Sequence, residues 1–165
     1  MTRTTLALIL LMQADSVAVA QDLPASKVSA AVQQAFHAKF PTVKQVAWKL
    51  KAPTYDAEFL VKGLEVTVKF DADGTWQETE SAIPTSRVPA AVNQAIAKQF
   101  AGYKVIETQD MQRADDSRVR YEIHLENAKE VLKVMFYEDG TIINQSAKPK
   151  APAKKKLTPP DLDPQ

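Results

Sequence analysis

Val28, Ala31, Val32, Ala35, Phe36 and Phe40 fall at i, i+3, i+4, i+7, i+8 and i+12, a spacing that lines one side of an α-helix. Lys27, Gln33, Gln34, His37 and Lys39 take much of the remainder. Ser26 is the expected N-cap, and Pro41 ends the helix because it lacks a donor and clashes with the preceding turn. Downstream the period drops to two. Val46, Trp48 and Leu50, then Tyr55, Ala57, Phe59 and Val61, then Val66, Val68 and Phe70 alternate with polar residues, which predicts three half-buried strands and a fourth at 75–81. In Asp71-Ala72-Asp73-Gly74-Thr75 the Asp-Gly pair suits a type I turn with Gly74 in the left-handed bulge position, so that Phe70 and Trp76 share a face.

The pattern then recurs. Residues 84–100 repeat 24–40 with nine identities in seventeen positions, mostly the apolar stripe and the residues around the cap. Ser86 takes the place of Ser26, and Pro89 then falls in the first turn, where backbone N–H groups have no intrahelical partner. Strands follow at 104–108, 119–125, 131–137 and 141–145, with Tyr137-Glu138-Asp139-Gly140-Thr141 matching the earlier turn. The offset between copies grows from sixty to sixty-six by Tyr55/Tyr121, which places a longer hairpin loop at 111–117. The reading is a tandem duplication with an α+β fold. It consists of two α-β-β-β-β units, each a helix packed on an antiparallel sheet. A unit of this length buries only about 60% of its unfolded surface, so the two either pack together or share one continuous sheet.

Composition adds an address and a tail. Arg3, the apolar run from Leu6 to Met12 and Ala18-Val19-Ala20 have the form of a secretory signal cleaved near Ala20. The run is too short to span a bilayer, which takes roughly 20 apolar residues. The chain has no cysteine, which excludes disulfides, thiolate metal sites and a cysteine nucleophile, and export without disulfides fits a periplasmic protein. Past Ser146, five lysines stand against two acids in a Pro-rich segment that reads as a disordered tail. The remaining body is slightly acidic beneath an overall charge of +1, without the basic face of a nucleic-acid binder. The expected division is therefore 1–20 signal, 21–83 first unit, 84–146 second unit and 147–165 tail.

An exported chain with a helix beginning Pro-x-x-x-Val, a Phe-Pro helix end, a Val-x-Trp strand and a Phe-Asp-x-Asp-Gly-x-Trp hairpin resembles the PepSY-like family, a group described as β-lactamase-inhibitor-like. The residues that carry this are Pro24, Val28, Phe40-Pro41, Val46, Trp48, Tyr55, Phe70-Asp71, Asp73-Gly74 and Trp76, echoed at Pro84, Val88, Phe100, Tyr121, Phe136 and Asp139-Gly140. The second copy lacks counterparts of both tryptophans and of the proline after the helix. The resemblance implies exported helix-on-sheet units and inhibitory binding.

Candidate chemistry is sparse. Aligning Gly74 with the sixth position of a calcium loop puts Lys69 where the first carboxylate belongs, so the segment reads as a turn. His37 and His124 are isolated and read as solvated, as do Asp115-Asp116 in a loop and Glu78/Glu80 on a terminal strand. Nucleophile-elbow and phosphate-loop motifs are missing from the sequence. No catalytic, cofactor or metal site is assigned. The expected function is a non-catalytic binding or inhibitory module that engages an exported protein through hairpin loops and the sheet face away from the helices. The contact candidates are Lys49, Glu58, Lys69, Arg120, His124, Lys133, Met135 and Tyr137, the last two being apolar or aromatic on a polar face. The alternative is an envelope-polymer or small-ligand binder assisted by the basic tail.

Overall fold

The computed structural model describes residues 21–150, so the predicted signal segment and the tail beyond Lys150 lie outside the described residues. Helix α1 spans Ala30–Lys39 and α2 spans Ala90–Gln99. Both begin later than the apolar spacing suggests, because single 3-10 turns at Ala25–Lys27 and Thr85–Arg87 come first. Those turns drop Val28 and Val88 into the core before either helix starts. The cap of α1 is therefore Ser29 rather than Ser26, its hydroxyl accepting from the Val32 N–H at 3.2 Å. In α2 the cap position falls on Pro89, which has no side-chain oxygen to offer, and not on Ser86.

Among the described residues, nine strands follow one another as a single antiparallel meander in which sequence order is spatial order. They are β1 (Gln21–Leu23), β2 (Ala47–Lys51), β3 (Thr54–Val61), β4 (Leu64–Phe70), β5 (Trp76–Ala82), β6 (Lys104–Arg113), β7 (Asp116–Glu126), β8 (Glu130–Tyr137) and β9 (Ile142–Pro149). This corrects the expectation of two tandem helix-on-sheet units: β5 and β6, drawn on opposite sides of the boundary at 83/84, are hydrogen-bonded neighbours, so the described residues form one sheet carrying two helices. Strand β1 went unpredicted because three residues are too short to show an alternation. Strand β9 runs three residues past the expected start of the tail, Ala147 pairing with Leu132 and Pro149 with Glu130.

The physical reason for one sheet is the six-residue extension. It does not form a loop at 111–117: β6 has ten residues where β2 has five, and β7 starts at Asp116 after a tight turn. The added length supplies partners for β5, Glu78 to Arg113 and Glu80 to Met111, and the pairing runs on to Ala82 opposite Gln109. Ala114 N–H to Gln77 O (2.8 Å) and Ile83 N–H to Thr108 O (3.0 Å) continue the seam at both ends.

Both helices cover the same face. Val32 and Phe36 of α1 pack on Trp48, Ala57, Val68 and Phe70, and Val92 of α2 packs with Ile123, Leu125, Val134 and Phe136. Each such large side chain contributes roughly 1.5–3 kcal/mol by leaving water. The turns that close β4–β5 and β8–β9 are clamped against the helices. Ser29 Oγ donates to Ala72 O at 2.9 Å, and a Cβ on Gly74 would lie 2.7 Å from Ala31 O. The same intrusion would occur between Gly140 and Ala91 O, also at 2.7 Å.

Two outcomes test this architecture. Gly74→Ala and Gly140→Ala combine a positive φ with a clash against helix backbone and are each expected to lower unfolding stability by about 2–4 kcal/mol. Gly63→Ala has a positive φ but open space around it, and should cost only about 1–2 kcal/mol; urea titrations measure all three. Deleting residues 111–116 should abolish the β5–β6 seam and speed amide exchange along β5 by at least about tenfold.

Candidate functional site: the open face of the sheet

Alternation along each strand sends every second side chain to the face without helices, and the register sets these in rows across the sheet. One row reads Asp22, Lys49, Asp56, Lys69, Glu78, Arg113, Asp116, in which every direct cross-strand neighbour has the opposite sign. Directly opposed Cβ atoms lie about 4.5–5.5 Å apart, close enough for each pair to attract. A second row runs Ala47, Glu58, Thr67, Glu80, Met111, Arg120, Tyr137. Toward β9 come Gln109, Glu122, Met135, Asn144 and then Glu107, His124, Lys133, Ser146.

The centre of the face is a shared-cation cluster. Lys69 Nζ lies 2.6 Å from both Glu78 and Glu80, and Arg113 closes on Glu78 at 2.5 Å. Burial by itself would lower the Lys69 ammonium, but its two carboxylate partners hold it well above the ordinary lysine range. Burial pushes Glu80 up, and Glu78 beside it adds to the effect. Burial acts on Glu78 in the same sense, but hydrogen bonding within the cluster and the charges of Lys69 and Arg113 bring it net below its ordinary value. Lys69 bonds both carboxylates at the same distance, and Arg113, which reaches Glu78 and not Glu80, adds to the difference between them.

Asp56 sits deeper still. Its side chain is wholly buried, with Lys51 Nζ 2.7 Å from Oδ2 but outside hydrogen-bonding alignment, and neither oxygen has a hydrogen-bond partner among the described residues. Toward β8, Asp116 gathers Arg118 (3.2 Å) and Arg120 (3.1 Å); hydrogen bonds from the Arg118 side chain and backbone, with Arg120, hold its carboxyl well below the usual range. Arg118 also lies over the Tyr137 ring at 3.8 Å and donates to its hydroxyl at 2.7 Å.

All eight contact candidates lie on this one face. Lys49 pairs with Glu58 at 2.7 Å, Lys133 with Glu122 at 2.7 Å, and Arg120 stands opposite Tyr137 in register. Met135 lies between Glu122 and Asn144. His124 is not simply solvated: its ring nitrogens lie 2.8 Å from Glu107 and 2.9 Å from Glu122. Two acids hold positions other than those expected from their sequence surroundings. Glu78 lies on β5, the fifth of nine strands rather than a terminal one, and Asp116 opens a strand rather than lying in a loop. Counting alternation outward from the Asp-Gly turn puts Gln77 opposite Lys69; the bulge between Lys69 and Phe70 shifts the register to Glu78, and Arg113 required the seam register. The Asp71–Gly74 segment is a turn, with Asp73 Oδ1 accepting from Thr75 N–H at 2.9 Å and Asp71 Oδ2 from Gln77 at 2.5 Å. No group of three potential metal ligands occurs among the described residues.

Comparison with known proteins places this geometry. A family model described as "Putative beta-lactamase-inhibitor-like, PepSY-like" matches residues 53–144. Among solved structures the chain is similar to a DUF2874 family protein from Bacteroides uniformis, with 26% identity and TM-score 0.68 over 72% of this chain and 88% of that one. It is also similar to a protein from Bacteroides eggerthii described as a putative periplasmic protein, with 23% identity and TM-score 0.69 over 73% and 88% of the two chains. A BLIP-like protein from Bacteroides fragilis has 21% identity and TM-score 0.67 over 81% and 93%. At these last two identities the likeness carries the fold alone. No curated protein matches the chain.

The central cluster gives opposite pH responses from its two acids. Glu80, raised above its ordinary 4.5, contributes stability that is present below its unfolded-state value and lost as pH rises through the folded one. Glu78, lowered, contributes stability that is present above its unfolded-state value and lost as pH falls through the folded one. In urea titrations between about pH 2 and about pH 7, Glu80→Gln should remove a loss on the rising side above its ordinary 4.5 and Glu78→Gln a loss on the falling side below it. Identical pH profiles for the two variants would contradict the assignment.

Proposed function

Because this chain belongs to the PepSY-like family, we propose that it is an exported, periplasmic, non-catalytic binding or inhibitor-like module whose open sheet face engages a protein partner. The observation that carries this reading is the row of alternating charges across seven strands, set on a face to which neither helix packs. Paired charges hold their side chains in place before a partner arrives, which reduces the ordering cost of association. Met135 and the Arg118-stacked Tyr137 add an apolar and an aromatic anchor beside the row, the residue types that concentrate binding energy in interfaces. The inhibitor-like description of the family and the BLIP-like fold neighbour support the same class of activity. The repeated stretch is read as an internal duplication, a reading supported by the matched docking of Gly74 on α1 and Gly140 on α2.

The test is capture from periplasmic extract on immobilised protein, read by quantitative mass spectrometry. Met135→Ala combined with Tyr137→Ala should reduce the captured partner by about tenfold or more, equivalent to about 1.4 kcal/mol, with the circular dichroism unchanged. Removal of residues 151–165 should leave capture intact. Undiminished capture by the double variant, or dependence on the tail alone, would overturn the open-face reading.

A further inference from the structure

Strand β3 is one of the longer strands of the sheet, but its neighbour on one side stops short. The β2–β3 register begins at Ala47 opposite Glu58, so residues 59–61 have partners on β4 and none on β2. The chain that leads into β2, residues 42–46, diverges from β3 instead of pairing with it. Apart from Val43 N–H to Phe40 O, no backbone hydrogen bond of 42–46 occurs among the described residues. Between the two diverging segments lies a cleft of about 770 Å³ that closes where Ala47 meets Glu58.

Two further observations converge on this fork. Among the described residues, four large apolar side chains are exposed, and three of them sit at the end of the hairpin that forms one wall: Leu60 (65%), Val61 (43%) and Leu64 (38%). Leu60 points to the open face and Val61 to the helix face, so an added strand would find apolar surface on both of its sides. The charges of the cleft are unbalanced as well. Its one carboxylate, Glu58, is already paired with Lys49, whereas Lys44 and Lys62 have no ion pair among the described residues.

An unpaired strand edge offers a row of donors and acceptors to an incoming chain, and flanking lysines repel a basic one and attract an acidic one. We propose that the fork between residues 42–46 and 59–61 is a strand-addition site that takes an acidic, extended segment of a partner protein, with apolar residues alternating with Asp or Glu. The added segment would run about four residues, roughly 13 Å at 3.3 Å per residue. Main-chain hydrogen bonds to β3 give it affinity, its apolar side chains fall on one face and meet either Leu60 or Val61 according to register, and Lys44 with Lys62 select its charge. The site lies away from Met135 and Tyr137, so its failure and that of the open-face reading are separable.

The absence of cysteine from the chain allows a direct test in the full-length protein. Gln45 is exposed on the rim of the cleft, and Gln45→Cys gives a single attachment point for disulfide-tethered peptides, which removes the need for high intrinsic affinity. The probes are Cys-Gly-Asp-Val-Asp-Val-Asp, the same peptide with Lys in place of Asp, and the acidic peptide with its backbone nitrogens methylated. The acidic peptide should slow amide exchange at residues 59–61 by about tenfold or more relative to its methylated form, and the lysine peptide should not. Lys44→Glu with Lys62→Glu should invert the preference. Equal protection by all three peptides, or protection by none, overturns the proposal. Protection already present without peptide at amides of 59–61 that do not pair with β4 also overturns it: loss on removing residues 151–165 would identify the chain's own tail as occupant, and growth with protein concentration would identify a second copy.

Discussion

The pairing of β5 with β6 is the contact on which the rest of the architecture depends. Backbone groups along a strand edge must find partners or face water, and an exposed edge is also a template for unwanted association. Without the seam, β5 and β6 would each be an edge strand, and Glu78 would lose the guanidinium that pairs with it beside Lys69. With it, the sheet of the described residues has β1 and β9 at its margins. Three of the five paired positions on β6, Met111, Gln112 and Arg113, lie in the segment that breaks the sixty-residue offset, so the departure from the repeat helps to join the two parts of the sheet.

Register is what turns that seam into an ordered row of paired charges. Side chains alternate with a period of two, so a slip of one residue at any strand pair would move Lys69 or Glu78 among the buried apolar groups and carry Val68 or Thr79 to the open face. The charge row therefore makes a slip costly from both sides: apolar burial is lost on one face and ion pairs are broken on the other. It also explains how a wholly buried carboxylate such as Asp56 is tolerated, with Lys49 and Lys69 in register on either side and Lys51 beside it. Replacing one member of such a row strands its neighbours, which is the expensive way to disturb buried charge.

These constraints set what was legible before the structure. The long alternations around Trp48, Phe59, Val68, Ile123 and Val134 were readable because each side chain faces either the helices or the open side. The Asp-Gly turns were readable because only glycine suits that backbone position. The helix starts were misread because Ser26 and Ser86 lie in 3-10 turns, whose side-chain spacing over three residues does not differ visibly from a first helical turn. The extension at 111–117 was misread for a deeper reason. Polar residues such as Gln112, Arg113 and Asp116 look like loop in isolation, and only a partner strand already carrying Glu78 and Lys69 makes them a favourable continuation of a sheet. All eight contact candidates could be placed on one face because face membership needs only parity. Their ion-pair partners could not all be named, because partners need register.

A face whose charges are already paired imposes a particular kind of selectivity. A polyanion or polycation approaching it would meet alternating signs and gain little net attraction, and it would have to break short ion pairs to gain more. A protein surface with its own alternating charges and an apolar knob could instead extend the rows without dismantling them, and like-charge contacts across a wrong register would penalise other partners. Arg118 and Tyr137 show the form such an anchor takes: a guanidinium stacked on an aromatic ring, tethered to Asp116, at the margin of the charge row. The cleft beside β3 has the complementary character, with unpaired backbone, exposed aliphatic side chains and unopposed lysines. Surfaces built this differently are suited to different features of a partner, a folded surface in one case and an extended segment in the other.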